Sequence, residues 1–191
     1  MNGYRVSGPW DQRHHEHNAR VADAHVNSEH YVRDLHSRAG LEAATTTGSS
    51  HTALVSVSAV RFPTTSATPT AGWQMLRPDH WLDGIVKIER VVHSYSSSGN
   101  ACVLTFTAAA LADGDALSAS ADLSQQVTVP AGAAANTVYD YTDDDLWFPV
   151  DQSHIIMFGN IIRNVGVGSD GLAVFRLQSI RLRYVPRRQE I

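Results

Sequence analysis

The chain has 191 residues, 43% hydrophobic and 18% charged, with a formal net charge of −4. This composition allows one substantial domain plus an appendage and excludes a disordered polypeptide. The mild acidity argues against the concentrated basic surface of a nucleic-acid binder, and the single cysteine excludes both an intramolecular disulfide framework and a thiolate zinc site.

The opening residues, MNGYRVSGPWDQRHH, lack the apolar core of a secretory leader. Residues 1–44 read as a helical arm. Ser7 or Gly8 caps it, Pro9 suits the first turn, and Asp11 to Ala39 contains neither proline nor glycine before Gly40 offers a left-handed stop. Histidines crowd this arm at His14, His15, His17, His25, His30 and His36. His14 and His17 are three apart, but the next histidine on that face is His25 and no HExxH pattern is present, so no metal site and no cofactor are expected. A pH switch would need a bistable partner, which the sequence does not show. The histidines therefore read as the polar face of a helix. Beneath them Val21, Ala24, Tyr31 and Leu35 recur at steps of three and four, with Ser28 between, as an imperfect heptad seam. A stripe this narrow needs a partner, so these four residues are the expected docking interface of the arm.

A flexible joint, 45–52, is expected next, and the apolar period then changes from near 3.6 to 2 across 53–191. Leu54 to Phe62 alternates as one strand. Gly84 to Val92 puts Val86, Ile88 and Val92 on one face, interrupted by Arg90. Cys102, Leu104 and Phe106 share a face with threonines opposite, which makes Cys102 a buried, inert thiol. QQVTVP and TVYDYT are short strands, and His154 to Arg163 is apolar on both faces, as a central or interface strand would be. In the last segment Ala173, Phe175 and Leu177 have one parity and Ile180, Leu182 and Tyr184 the other, which requires a bulge or bend at Gln178-Ser179. The longest weakly polar run, Ala101 to Ala112, is too short to span a bilayer, so no membrane insertion is expected. The fold class expected is mainly β, an antiparallel β-sandwich (jelly-roll-like) with an N-terminal helical arm.

Catalytic patterns are missing. There is no GxSxG elbow, no phosphate loop and no evident carboxylate pair, so a non-enzymatic protein is expected, with a β-sandwich hydrolase as the remaining enzyme reading. Asp113 to Asp115 and Asp143 to Asp145 do not fit a calcium loop and read as turns. Arg181 and Arg183 share a strand face and suit an interface better than a phosphate patch. Trp73, Trp81 and Trp147 are the candidate ligand-surface aromatics.

The stretch HWLDGIVKIERVVHSYSSSGNACVLTFTAAALADGD, with FPVDQSHIIMFGNIIRN and GLAVFRLQSIRLRYV, resembles β-sandwich domains of tailed-bacteriophage virion structural proteins. The likeness rests on Trp81 to Gly84, Gly114-Asp115, Ile161 to Arg163 and Ile180 to Tyr184. It implies a fibre, spike or capsid-decorating subunit in the virion, partnered by other virion proteins. Such a subunit is a homo-oligomer, commonly a trimer, docked through its arm. The alternative is a receptor- or glycan-binding module of a phage tail, with a host surface receptor as partner.

Overall fold

Alternation of buried and exposed side chains, with turn chemistry between, yields twelve strands among the described residues and no helix. The computed structural model describes residues 32–37, 39–44, 48–54, 57–65, 68–97, 101–116, 120–130, 132–168, 170–171 and 173–186. The strands are β1 (Val32–Ser37), β2 (Gly40–Ala43), β3 (Ser50–Leu54), β4 (Val57–Phe62), β5 (Thr70–Leu76), β6 (Gly84–Tyr95), β7 (Cys102–Ala112), β8 (Leu123–Val129), β9 (Tyr139–Tyr141), β10 (Trp147–Val150), β11 (His154–Arg163) and β12 (Phe175–Pro186).

They form two sheets. In sheet A, β3–β4–β12–β6 run antiparallel, with β9 and β10 end to end along the far side of β6. In sheet B, β2–β5–β11–β7–β8 run antiparallel. The chain passes from one sheet to the other at β1 and β2, where β1 neighbours β12 and its end meets β2 through His36↔Gly40 and Ser37↔Leu41.

The helical arm is corrected over 32–43. Those residues are strands in which Leu35 and Ser37 are buried while Asp34 and His36 are exposed, a period of 2. Gly40 takes a left-handed φ of 122°, as foreseen, but it turns one strand into the next rather than ending a helix. Leu35 thus belongs to the sandwich core and not to an arm seam. Val21, Ala24 and Tyr31 lie outside the described residues. Residues 50–52 of the expected joint are already in β3, paired with Ala59 to Arg61. Leu54 to Phe62 is a hairpin rather than one strand, with Leu54 opposite Val57.

The bulge expected at Gln178 is present: Leu177 faces His93 while Ser179 faces Val92, leaving Gln178 over. A second irregularity was not foreseen. Arg181 faces Arg90 and Leu182 faces Ile88, so Glu89 is the extra residue on β6. It shifts the inward parity from Val86 and Ile88 to Val91, His93 and Tyr95, which corrects the placement of Val92.

Between the sheets, Phe106, Met157, Ile161 and Leu104 face Ile88, Phe148, Phe175 and Leu182, all fully buried. Trp73 meets Phe148 across the core at 6.1 Å between ring centroids, and Trp81 stacks on Tyr184 at 5.1 Å and 10°. One ion pair is buried with them. Arg163, at the end of β11, donates from Nε and Nη2 to the two oxygens of Asp170 at 3.1 and 2.9 Å, and from Nη1 to the Ala173 carbonyl at 2.6 Å. Asp170 also accepts the Val103 amide at 3.0 Å, so the 164–171 loop is tied to β7 and β11.

Candidate functional site: the outer face of sheet B

The outward rows of the two sheets have opposite chemistry. On sheet A, Arg181 pairs with Asp34 at 2.7 Å, Arg183 with Glu89 at 2.7 Å, Lys87 with Asp144 at 3.4 Å and Arg90 with Asp140 at 3.3 Å. The Arg181 hydrogen bond holds the Asp34 carboxyl below the usual carboxylate range. This is a salt-laced, solvated surface, and its exposed pairs each contribute about 0–1 kcal/mol.

Sheet B presents almost no charge outward. Strand register places Glu42, Gly72, Asn160, Thr107 and Ser124 in one row across five strands. Gln74, Phe158 and Ala109 form the next row, and Leu76, Ile156 and Leu111 the one beyond. Successive rows are two residues, roughly 7 Å, apart along the strands. On the other side of the polar row stand Thr70, Ile162, Thr105 and Gln126.

A groove of ≈ 460 Å³ opens in this face, lined by Glu42, Gly72, Gln74, Ile156, Phe158 and Asn160, with Trp73 and Gly159. Two mid-strand glycines line it, and Gly72 is the one whose missing side chain faces the groove. At Gly72 a Cβ would meet Asn160 Oδ1 at 3.3 Å, so the bare backbone leaves the amide room to lie across the floor. At Gly159 a Cβ would sit 2.8 Å from Trp73 Cε2, because that indole lies over the glycine on the inner side. Half-exposed Phe158 thus stands beside two carboxamides and one carboxylate. Such a set offers an apolar ring face and both donors and acceptors of hydrogen bonds at fixed spacing. Glu42 stands at the rim, 3.7 Å from His51 Nε2. Among the described residues no three His, Cys, Asp or Glu side chains are grouped to hold a metal.

The residues singled out from the sequence fall elsewhere. Trp73 and Trp81 are core residues, 4% and 0% exposed, because strand parity turns the first inward and Tyr184 covers the second. Trp147 is exposed at 45%, but it lies in sheet A beside Lys87, remote in register from the groove. Arg181 and Arg183 are engaged in the ion pairs just described. Asp143 accepts from the Tyr141 hydroxyl at 2.7 Å and the Asp145 amide at 2.9 Å, and Asp115 accepts the Ala112 amide at 2.8 Å, so both acidic runs are turns. Cys102 is buried in β7, and burial pushes its thiol far above the ordinary range. Sequence reasoning did not find the groove. Its signal was the pair of glycines inside otherwise regular strands, with Gln74, Phe158 and Asn160 at outward parity around them.

No protein-family model and no curated protein matches the chain. Among solved structures, a CBM 22 xylan-binding domain is similar at a TM-score of 0.43 and 8% identity, covering 83% of this chain and 97% of its own. The CBM22-1 xylan-binding domain from Paenibacillus barcinonensis Xyn10C gives 0.40 and 13%, covering 82% and 95%. A non-crystalline-cellulose-specific carbohydrate-binding module, CBM28, gives 0.41 and 10%, covering 78% and 90%. These are likenesses of outline at low identity.

Proposed function

We propose that the chain is a non-catalytic binding module that takes a neutral saccharide on the outer face of sheet B. The observation that carries this reading is the contrast between the two faces: sheet A is laced with ion pairs, whereas sheet B presents a polar row with Glu42 as its one charged side chain around an open groove. Sugar hydroxyls match the paired donors and acceptors of Gln74 and Asn160, and the apolar face of a pyranose matches the ring of Phe158. The row from Glu42 to Ser124 crosses four strand gaps, roughly 19 Å, long enough for an extended oligosaccharide.

A neutral-glycan array probed with the full chain tests the reading. Binding is expected, and Asn160→Ala or Gln74→Ala should weaken it about three- to tenfold, the worth of one hydrogen bond. Trp147→Ala should leave it unchanged. A blank array, or binding that depends on Trp147 and not on Asn160, defeats the assignment.

A homo-oligomeric virion subunit, the role implied by the phage resemblance, is favoured by a different feature. Edge strand β8, LSQQVTV, carries no charge and no proline, the usual guards against strand pairing between chains. Light scattering on the purified chain decides it: a monomer at micromolar concentration removes this second reading.

A further inference from the structure

The lining of the groove is graded. Glu42 and Asn160 form its polar row, Gln74 and Phe158 stand opposite each other in the next, and Ile156 continues it to Leu76, while Leu111 in that same row is buried. Leu76 is 75% exposed, the most exposed of the large apolar side chains described. This apolar shelf runs parallel to the polar row and roughly 14 Å from it, with Phe158 midway. Its end is rigid. The Arg77 amide donates to the Ile155 carbonyl at 3.0 Å, and the Arg77 guanidinium donates to the carbonyls of His154 at 2.6 Å, Pro78 at 3.1 Å and Trp81.

An exposed leucine on a braced strand end, continuous with the groove, offers a fixed surface to an apolar occupant. We infer that the preferred ligand is a saccharide carrying an apolar aglycone: the sugar lies on Asn160 and Gln74, and the alkyl or aryl group lies along Phe158, Ile156 and Leu76. This deepens the saccharide-binding reading and rests on it. A second copy of the chain suits the shelf less well. A stable protein interface covers about 800 Å² per partner, and the three side chains Phe158, Ile156 and Leu76 fall well short of that. The shelf is, however, the right width for a single hydrocarbon chain. Because the shelf is preformed, its occupant is not charged the cost of ordering it.

The experiment is calorimetric titration of the full chain with methyl, butyl and hexyl glycosides of the sugar ranked first on the glycan array, alongside the free oligosaccharide and 1-hexanol. Affinity should rise with chain length, approaching about fourfold for each methylene that is fully buried. Leu76→Asn and Ile156→Asn should each abolish that rise, and Leu76→Asn, which lies outside the groove lining, should leave methyl-glycoside and free-oligosaccharide affinity unchanged. Leu76 is exposed, so its variant keeps the fold, and light scattering is run on both. Equal affinity for all three glycosides overturns the inference and leaves the saccharide reading standing, as does a length dependence that survives both substitutions. A dimer that Leu76→Asn dissociates gives the shelf to a second copy and overturns the inference too. Hexanol binding as tightly as the hexyl glycoside, or no binding of any sugar, overturns the saccharide reading and the inference together.

Discussion

His93 is 2% exposed, stacked on Phe175 at 5.3 Å and edge-on to Tyr95 at 5.3 Å, with one long hydrogen-bond contact, 3.4 Å, from Nδ1 to the Val91 carbonyl. Burial disfavours its charged form and lowers its pKa, against smaller opposing effects of the Val91 carbonyl and Asp140. The unfolded chain therefore binds this proton first. Stability should be level above about pH 6.5 and fall as pH drops below that value, until the folded protein also takes the proton. Urea unfolding from pH 8 to pH 5 is expected to show a shallower acid decline for His93→Phe than for the parent chain. An identical slope would mean that His93 does not carry the linkage. The Arg163–Asp170 pair makes a sharper demand, since both side chains are fully buried. Asp170→Ala strands the guanidinium and should cost about 3–5 kcal/mol, while Arg163→Met combined with Asp170→Leu should cost less than that single change. Unfolding free energies of the two variants decide whether desolvation or attraction dominates the pair.

Among the strands, irregularity and close approach do most of the positioning. The extra residues Gln178 on β12 and Glu89 on β6 each reverse the inward parity of the strand beyond them, which brings Ile180, Leu182 and Tyr184 to the core on one strand and Val91, His93 and Tyr95 on the other. The first bulge was legible because apolar residues changed parity within a single segment. The second was hidden, because Val91 and Val92 are both apolar and either one satisfies the pattern. Gly159 has the same significance for sheet B. A methyl there would press on Trp73 and on the Thr107 carbonyl, so Gly159→Ala should destabilise by about 1–3 kcal/mol. Thermal unfolding of that variant checks it, and an unchanged midpoint would show that the indole can move aside.

Across the whole molecule, β1 and β2 are where the chain passes between the sheets, and Leu41 is completely buried. A chain lacking residues 1–31 should retain the native circular-dichroism spectrum and melting transition. One lacking residues 1–44 should lose cooperative unfolding, because sheet B loses β2 beside β5. The expected arm boundary at 44 hid this division, since helix caps and the absence of proline describe residues 32–39 as readily as a charged strand does. Period and turn chemistry, both local, determined by themselves that the chain is mainly β, that β11 is central, that Cys102 is buried and that β12 bulges. The placement of the tryptophans, the buried ion pair, the contrast between the two faces and the groove were decided by the tertiary structure alone. Each depends on which strand lies beside which, and residues as distant as Glu42, Gly72, Asn160, Thr107 and Ser124 become one row only when hydrogen-bond register brings five strands together.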